Sequence, residues 1–215
     1  MENTELFEQL EFKENPFYEE IISGLVENQY HIADNFFSAE EVAELRESLK
    51  RKYEENEFKK AAIGNRVNEV VEKSVRGDFI FWLDENEADT TEKQFFDKIN
   101  SLIDYLNKTC FLGILNKEFH YALYPKGTFY KRHLDTFQND GRRKLSLVCY
   151  LNDEDWKPEN GGELVIYKEE NGKEISKSIY PLPGRVVIFE SQVLEHEVKP
   201  VNTTRLSITG WLKTR

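Results

Sequence analysis

Apolar positions follow two different periods along the chain, and the change from one to the other divides it. Before Gly113 they recur at helical spacing, one face of each segment apolar and the other charged. Phe17, Ile21, Ile22, Leu25 and Val26 form such a stripe behind Asn15-Pro16, a helix-start signature. Ser38-Ala-Glu-Glu41 predicts a capping box in front of Val42, Leu45, Leu49 and Tyr53. Thr91 and Gln94 are expected to cap a third helix with Phe95, Ile99, Leu102, Ile103 and Leu106 facing inward. Residues 30–37 and 76–82 have an extended pattern, and 58–77, with Gly64 and Gly77, predict a long mobile loop.

After Gly113 the period shortens to two. Strands are predicted at 119–124, 130–135, 144–151, 162–167, 176–180, 185–189, 195–199 and 205–212. Turn residues separate them at Pro125-Lys-Gly127, Asn139-Asp-Gly141, Glu170-Asn-Gly172 and Pro183-Gly184. Helices followed by a run of short strands imply an α+β domain. Its β part is expected to be a double-stranded β-helix, a cupin-like jelly roll with supporting N-terminal helices. The corresponding division is an N-terminal helical segment at 1–29 and one domain at 30–215, with helical support at 38–110 and the jelly-roll core at about 119–212.

The alternation also separates two strand faces. Leu206, Ile208 and Leu212 oppose Arg205, Ser207, Thr209 and Trp211; Leu145, Leu147, Cys149 and Leu151 oppose Ser146, Val148 and Tyr150. If the apolar faces pack on the helices, the mixed faces line the barrel. An arginine there needs a partner, and a bound carboxylate is the natural one.

Composition narrows the class. A formal net charge of −11 argues against a phosphate-backbone binder, so no nucleic-acid partner is expected. Two cysteines, Cys110 and Cys149, are too few for a disulfide framework and fit a reducing compartment. Neither a signal peptide nor a membrane-spanning run is visible. The expectation is a cytoplasmic protein without a membrane partner, a monomer or weak dimer.

The candidate chemistry centres on Lys131-Arg132-His133-Leu134-Asp135. On an extended strand His133 and Asp135 leave the same face. With His196 they make two imidazoles and one carboxylate, the facial triad of non-haem Fe(II) oxygenases. Zinc competes for such ligands, but a structural zinc site wants a fourth protein ligand. Arg205, on the mixed face with Tyr124 and Tyr150, offers a planar fork for a carboxylate. His120 shares a face with Tyr124 and is expected to be a hydrogen-bonded interior residue; Glu195 and Glu197 should point away from the ligand face. Lys131-Arg132 and Arg142-Arg143-Lys144 could form a basic rim.

Together these residues resemble the 2-oxoglutarate- and Fe(II)-dependent prolyl 4-hydroxylases, and among them the bacterial relatives of the animal hypoxia-sensing prolyl hydroxylases. The resemblance covers about 30–212. It is carried by Val75-Arg-Gly-Asp-Phe-Ile-Phe-Trp82, Tyr124-Pro-Lys-Gly, Phe129-Tyr-Lys-Arg-His-Leu-Asp135, Tyr150-Leu-Asn152, Gly161-Gly162, His196-Glu-Val-Lys-Pro200 and Arg205-Leu-Ser-Ile-Thr-Gly-Trp211. It implies iron ligation by His133, Asp135 and His196, which are thereby the catalytic residues. It further implies 2-oxoglutarate binding by Arg205 with Tyr150, Thr209 and Tyr124, and apolar walls at Val148, Leu164 and Ile188. Arg76, Asp78, Trp82, Tyr130, Arg143 and Trp211 would meet the substrate, with 58–78 closing over it. Relative to the animal enzymes the turn at 125–128 is shorter, no zinc-finger module is seen, and the chain stops four residues after Trp211, where those enzymes continue into a helix. These differences favour the bacterial branch.

The implied activity is hydroxylation of a prolyl residue at C4 in a protein, using Fe(II), 2-oxoglutarate and O2, with ascorbate (vitamin C) as reductant and release of succinate and carbon dioxide. Elongation factor Tu is the candidate partner. The alternatives are a small-molecule 2-oxoglutarate oxygenase acting on free proline and a non-catalytic metal-binding jelly-roll module.

Overall fold

Helix caps set where each helical segment begins. A computed structural model describes residues 13–61, 75–136 and 141–214. In α1 (Pro16–Asn28), the Asn15 side chain accepts from the amides of Phe17 and Tyr18, and Pro16 occupies the position where no amide is needed. In α2 (Ala39–Glu54), Ser38 and Glu41 cap each other's amides. In α3 (Thr90–Cys110) the box is Asp89 with Glu92, two residues before the expected Thr91 and Gln94. A carboxylate at Asp89 accepts from an orphan amide more strongly than a hydroxyl and claims the cap first.

The apolar stripes bury as expected with two exceptions. Val26 is 80% exposed, and Tyr53 leaves the core to pack edge-on against Phe58 and Phe79. Ile21, Leu45, Leu49, Phe95, Ile99, Leu102 and Leu106 are buried against the sheet. Truncating any one of them to alanine costs roughly 2–5 kcal/mol.

The strands are β1 (Tyr30–Ala33), β2 (Lys59–Lys60), β3 (Phe79–Leu83), β4 (Asn116–Tyr124), β5 (Tyr130–His133), β6 (Arg143–Tyr150), β7 (Leu164–Glu170), β8 (Lys173–Ile179), β9 (Val186–Glu190), β10 (Glu195–Val198) and β11 (Arg205–Lys213). They form a seven-stranded sheet, β1-β9-β6-β11-β4-β3-β2, and a four-stranded sheet, β5-β10-β7-β8. All pairings are antiparallel. β11 runs through the large sheet, with Arg205 opposite Tyr124 and Ser207 opposite Tyr150.

One face of the large sheet packs on the helices through Leu145, Leu147, Cys149, Leu206, Ile208 and Leu212. Its other face packs on the small sheet, where Val148, Tyr150, Val187 and Phe189 meet Leu164, Ile166 and Val198. Ile188, expected in the pocket wall, instead joins the helix-facing core. Its register opposite Leu147 fixes that phase, because β9 is apolar throughout and its own sequence cannot. Part of the expected loop is the two-residue strand β2, paired to β3 at Lys59↔Ile80 and Lys60↔Phe79. Residues 62–74, most of the expected lid, and 137–140, which include most of the Asn139–Gly141 turn, lie outside the described residues. Among the described residues no helix is long and apolar enough to cross a membrane.

Candidate metal centre and its pocket

β5 ends at His133, and β10 brings His196 directly opposite. Asp135 lies two residues past the strand end, so the turn after β5, rather than strand alternation, aims its carboxylate inward. Nε2 of His133 is 3.4 Å from Oδ1 of Asp135, and Nε2 of His196 is 3.4 Å from Oδ2. One ligand atom from each residue lies within 4.8 Å of the others.

Both imidazoles are oriented by the backbone. Nδ1 of His133 donates to the Lys131 carbonyl at 2.7 Å, and Nδ1 of His196 to the Leu194 carbonyl at 3.1 Å. That leaves each Nε2 with its lone pair directed at the carboxylate, the tautomer a metal ligand needs. Burial, with the neighbouring His133 adding to it, lowers His196 to about 4 even though Asp135 works the other way. Burial should raise Asp135, but His196, His133 and the Ser146 hydroxyl outweigh it and hold the carboxyl far below the usual range. Two imidazole nitrogens and one carboxylate converge on a single point. The donor set therefore fits a divalent metal with open coordination positions.

Ser146 and Ser191 form a second layer. Ser146 donates to Asp135 Oδ2 at 2.7 Å, its Oγ is 2.8 Å from Ser191 Oγ, and both serines are fully buried. Neither was predicted as a site residue. Ser146 carried a weak signal, a hydroxyl on the mixed face of β6; Ser191 carried none.

The pocket is a cavity of about 530 Å³ bordered by the triad, with Arg205 and Trp82 also on its wall. Arg205 is 1% exposed. Its Nη1 donates to Ser207 Oγ at 3.3 Å, while its Nε and the hydroxyl of Tyr150 have no hydrogen-bond partner. The guanidinium lies 4.9 and 5.0 Å from the ring centres of Tyr124 and Tyr150, and among the described residues no carboxylate pairs with it. A buried cation beside orphaned donors fits an incoming carboxylate such as that of 2-oxoglutarate. Burial raises both tyrosine hydroxyls above their ordinary range, so both remain donors. Gly162, at φ 72°, makes room: a Cβ there would stand 2.6 Å from Val201 and 2.9 Å from Cδ of Arg205.

Thr209 and Trp82 flank His120 in one cross-strand row, Trp82↔His120↔Thr209. His120 is an interior residue, as expected, buried between Trp82 and Trp211, and its Nδ1 has no hydrogen-bond partner. Burial, aided by Arg76 and Arg143, lowers it to about 3, so the ring is neutral. Arg143 stacks on Trp211 at 3.6 Å and binds Glu118 at 2.7 Å; Arg132 binds Glu174 and Glu195. Intramolecular carboxylates thus meet Arg132 and Arg143 of the expected basic rim. Glu195 and Glu197 do point away, Glu197 binding Tyr167 and Lys199. Of the expected substrate contacts, Arg76, Trp82, Tyr130, Arg143 and Trp211 border the cavity, while Asp78 is 2% exposed and engages Arg76 with both oxygens.

Residues 119–213 match the model of the 2OG-Fe(II) oxygenase superfamily. A crystal structure of a Pseudomonas putida prolyl-4-hydroxylase is similar at a TM-score of 0.81 and 34% identity, covering 92% of this chain and 99% of that one. A Trichoplax adhaerens prolyl hydroxylase in complex with a hypoxia inducible factor oxygen degradation domain peptide is similar at 0.83 and 28%, covering 93% and 90%. Both have the double-stranded β-helix seen here as two opposed antiparallel sheets. Egl nine homolog 1 of Rattus norvegicus is 29% identical over 189 residues, 84% of this chain and 54% of the rat protein. The chain thus spans about half the length of that relative.

Proposed function

Since the chain belongs to the 2OG-Fe(II) oxygenase superfamily, in its prolyl 4-hydroxylase branch, we propose that it hydroxylates a prolyl residue of a polypeptide at C4. The observation that carries this reading is the placement of His133, Asp135 and His196 at one point of a cavity that also reaches the unpaired guanidinium of Arg205. Iron(II), when bound, supplies with 2-oxoglutarate and dioxygen the oxidation that converts a proline C–H to C–OH and the cosubstrate to succinate and carbon dioxide.

The chain's own residues do the rest. His133, Asp135 and His196 hold the metal on one side and leave the other side to the reactants. Arg205 and Tyr150 anchor the distal carboxylate of 2-oxoglutarate by charge-assisted hydrogen bonds, with Tyr124 and Thr209 along its length. Ser146 keeps Asp135 turned inward. Trp82, 45% exposed at the outer rim, and Trp211 behind it give a polypeptide an aromatic surface to rest on. The peptide complex of the Trichoplax relative supports a polypeptide over free proline.

Elongation factor Tu is the candidate target, in the cytoplasm, with ascorbate as reductant and the enzyme acting as a monomer or weak dimer. The test incubates the chain with iron(II), 2-oxoglutarate, ascorbate and elongation factor Tu, followed by peptide mass spectrometry. A single-oxygen gain on one proline is expected. Oxygen gain on free proline alone would move the reading to a small-molecule oxygenase. No consumption of 2-oxoglutarate with any prolyl substrate would reduce the chain to a binding module.

A further inference from the structure

The two histidines that face the metal position are supported unequally. His196 rides on β10, flanked by β5 and β7, with its ring 4.6 Å from that of Phe189. His133 rides on β5, a four-residue edge strand paired with β10 through a register irregularity. A short edge strand is a poor mount for a ligand that must hold its direction.

Val75–Gly77 covers that open edge. Arg76 bridges Tyr130, the Lys131 amide donates to the Val75 carbonyl at 2.9 Å, and the Gly77 amide donates to the Phe129 carbonyl at 3.1 Å. The approach is close enough that a Cβ on Gly77 would stand 2.8 Å from the Thr128 side chain. Side chains extend the contact toward the metal position. The Tyr130 ring stacks on the His133 imidazole, 3.7 Å between centres at 18°, and the Arg76 guanidinium lies over Tyr130 at 4.3 Å. One face of a phenol cannot hold both groups, so the ring is sandwiched. Asp78 in turn pins Arg76 at 2.8 and 2.6 Å with a fully buried carboxylate.

We propose that Arg76 and Asp78 are positioning residues for His133: together they clamp Tyr130 against the imidazole and so fix the plane in which Nε2 points at the metal. The hydrogen bond to Lys131 sets a direction within the ring plane but leaves tilt out of it free; the stack removes the tilt. This role differs from the substrate contact expected for Arg76 and Asp78, and it rests on the metal reading of the triad.

Cobalt(II) alone is the probe, titrated into the full chain and followed by its visible absorption and by the paramagnetically shifted imidazole N–H resonances. Replacing both members of the pair, Arg76→Met with Asp78→Leu, strands no buried charge. It should weaken cobalt binding by about 10–100-fold, the usual effect of losing an outer orienting group. It should also displace the His133 resonance and leave that of His196 in place. Tyr130→Leu should reproduce both effects, and Tyr130→Phe, which keeps the ring, should give wild-type affinity and spectrum. Wild-type affinity and spectrum in the Arg76→Met/Asp78→Leu chain would overturn the proposal, as would equal displacement of both resonances, the mark of general loosening. A wild-type chain that takes up no cobalt would instead overturn the metal reading, and this inference with it.

Discussion

At the inner end of the cavity Arg205 is almost fully buried and meets no carboxylate among the described residues. At the outer end Arg76 binds Asp78 with two hydrogen bonds and Arg143 binds Glu118. Burial should lower Arg76, but the Asp78 carboxylate outweighs it and raises the guanidinium further above its ordinary range. The same side chain thus has two uses. A paired, buried arginine completes the fold, whereas an unpaired one leaves its hydrogen bonds for a molecule that arrives later.

Substitutions can break or sharpen that contrast. The largest effect belongs to Asp135→Ala, on which both ends depend: it should abolish metal retention after dialysis, read by elemental analysis, and abolish turnover. Arg205→Met should retain metal, lower 2-oxoglutarate affinity about 100-fold by calorimetry, in line with about 1.5–3 kcal/mol for each bond to a charged group, and leave the melting temperature unchanged or higher. Arg76→Met alone should do the reverse to stability, lowering it by roughly 3–5 kcal/mol because Asp78 is left buried and unpaired. If both single variants melt at the same temperature, the distinction between the two arginines fails.

A smaller effect comes from acidification of the metal-free chain. His120 sits at about 3 when folded against an ordinary value of 6.5, with burial first and then Arg76 and Arg143 opposing its proton. Between those values the unfolded chain binds a proton that the folded chain refuses, so stability falls as pH falls from about 6.5. The slope is about 1.4 kcal/mol per pH unit for this group. Urea titrations at a series of pH values should show a flatter slope for His120→Phe. Smallest in stability is Trp82→Ala. It should stay within about 0.5 kcal/mol, since the ring is half-exposed, while raising KM for a polypeptide and sparing 2-oxoglutarate affinity.

The alternation of β6 and β11 made the two strand faces readable, because each strand buries one face on the helices and turns the other to the cavity. With Arg205, Thr209 and Trp211 on one face and the triad residues in order, most of the candidate site followed. What escaped depended on contacts between distant segments. The Ser146–Asp135 bond spans 11 residues and the Ser146–Ser191 contact spans 45; neither has a local signature. Ile188 escaped because uniform hydrophobicity has no phase, and the cap of α3 because Asp89-Thr-Thr-Glu92 begins its turn before the apolar stripe does.

Gly162 has no side chain to offer any reactant, yet its bare Cα lies against the stem of Arg205, the arginine proposed to anchor the cosubstrate. Libraries built by randomising only side chains that touch the cavity would pass over it. A deep mutational scan should nevertheless rank position 162 with Arg205 itself, intolerant even of alanine. A chain drifting there would lose its cosubstrate while every reacting group stayed intact.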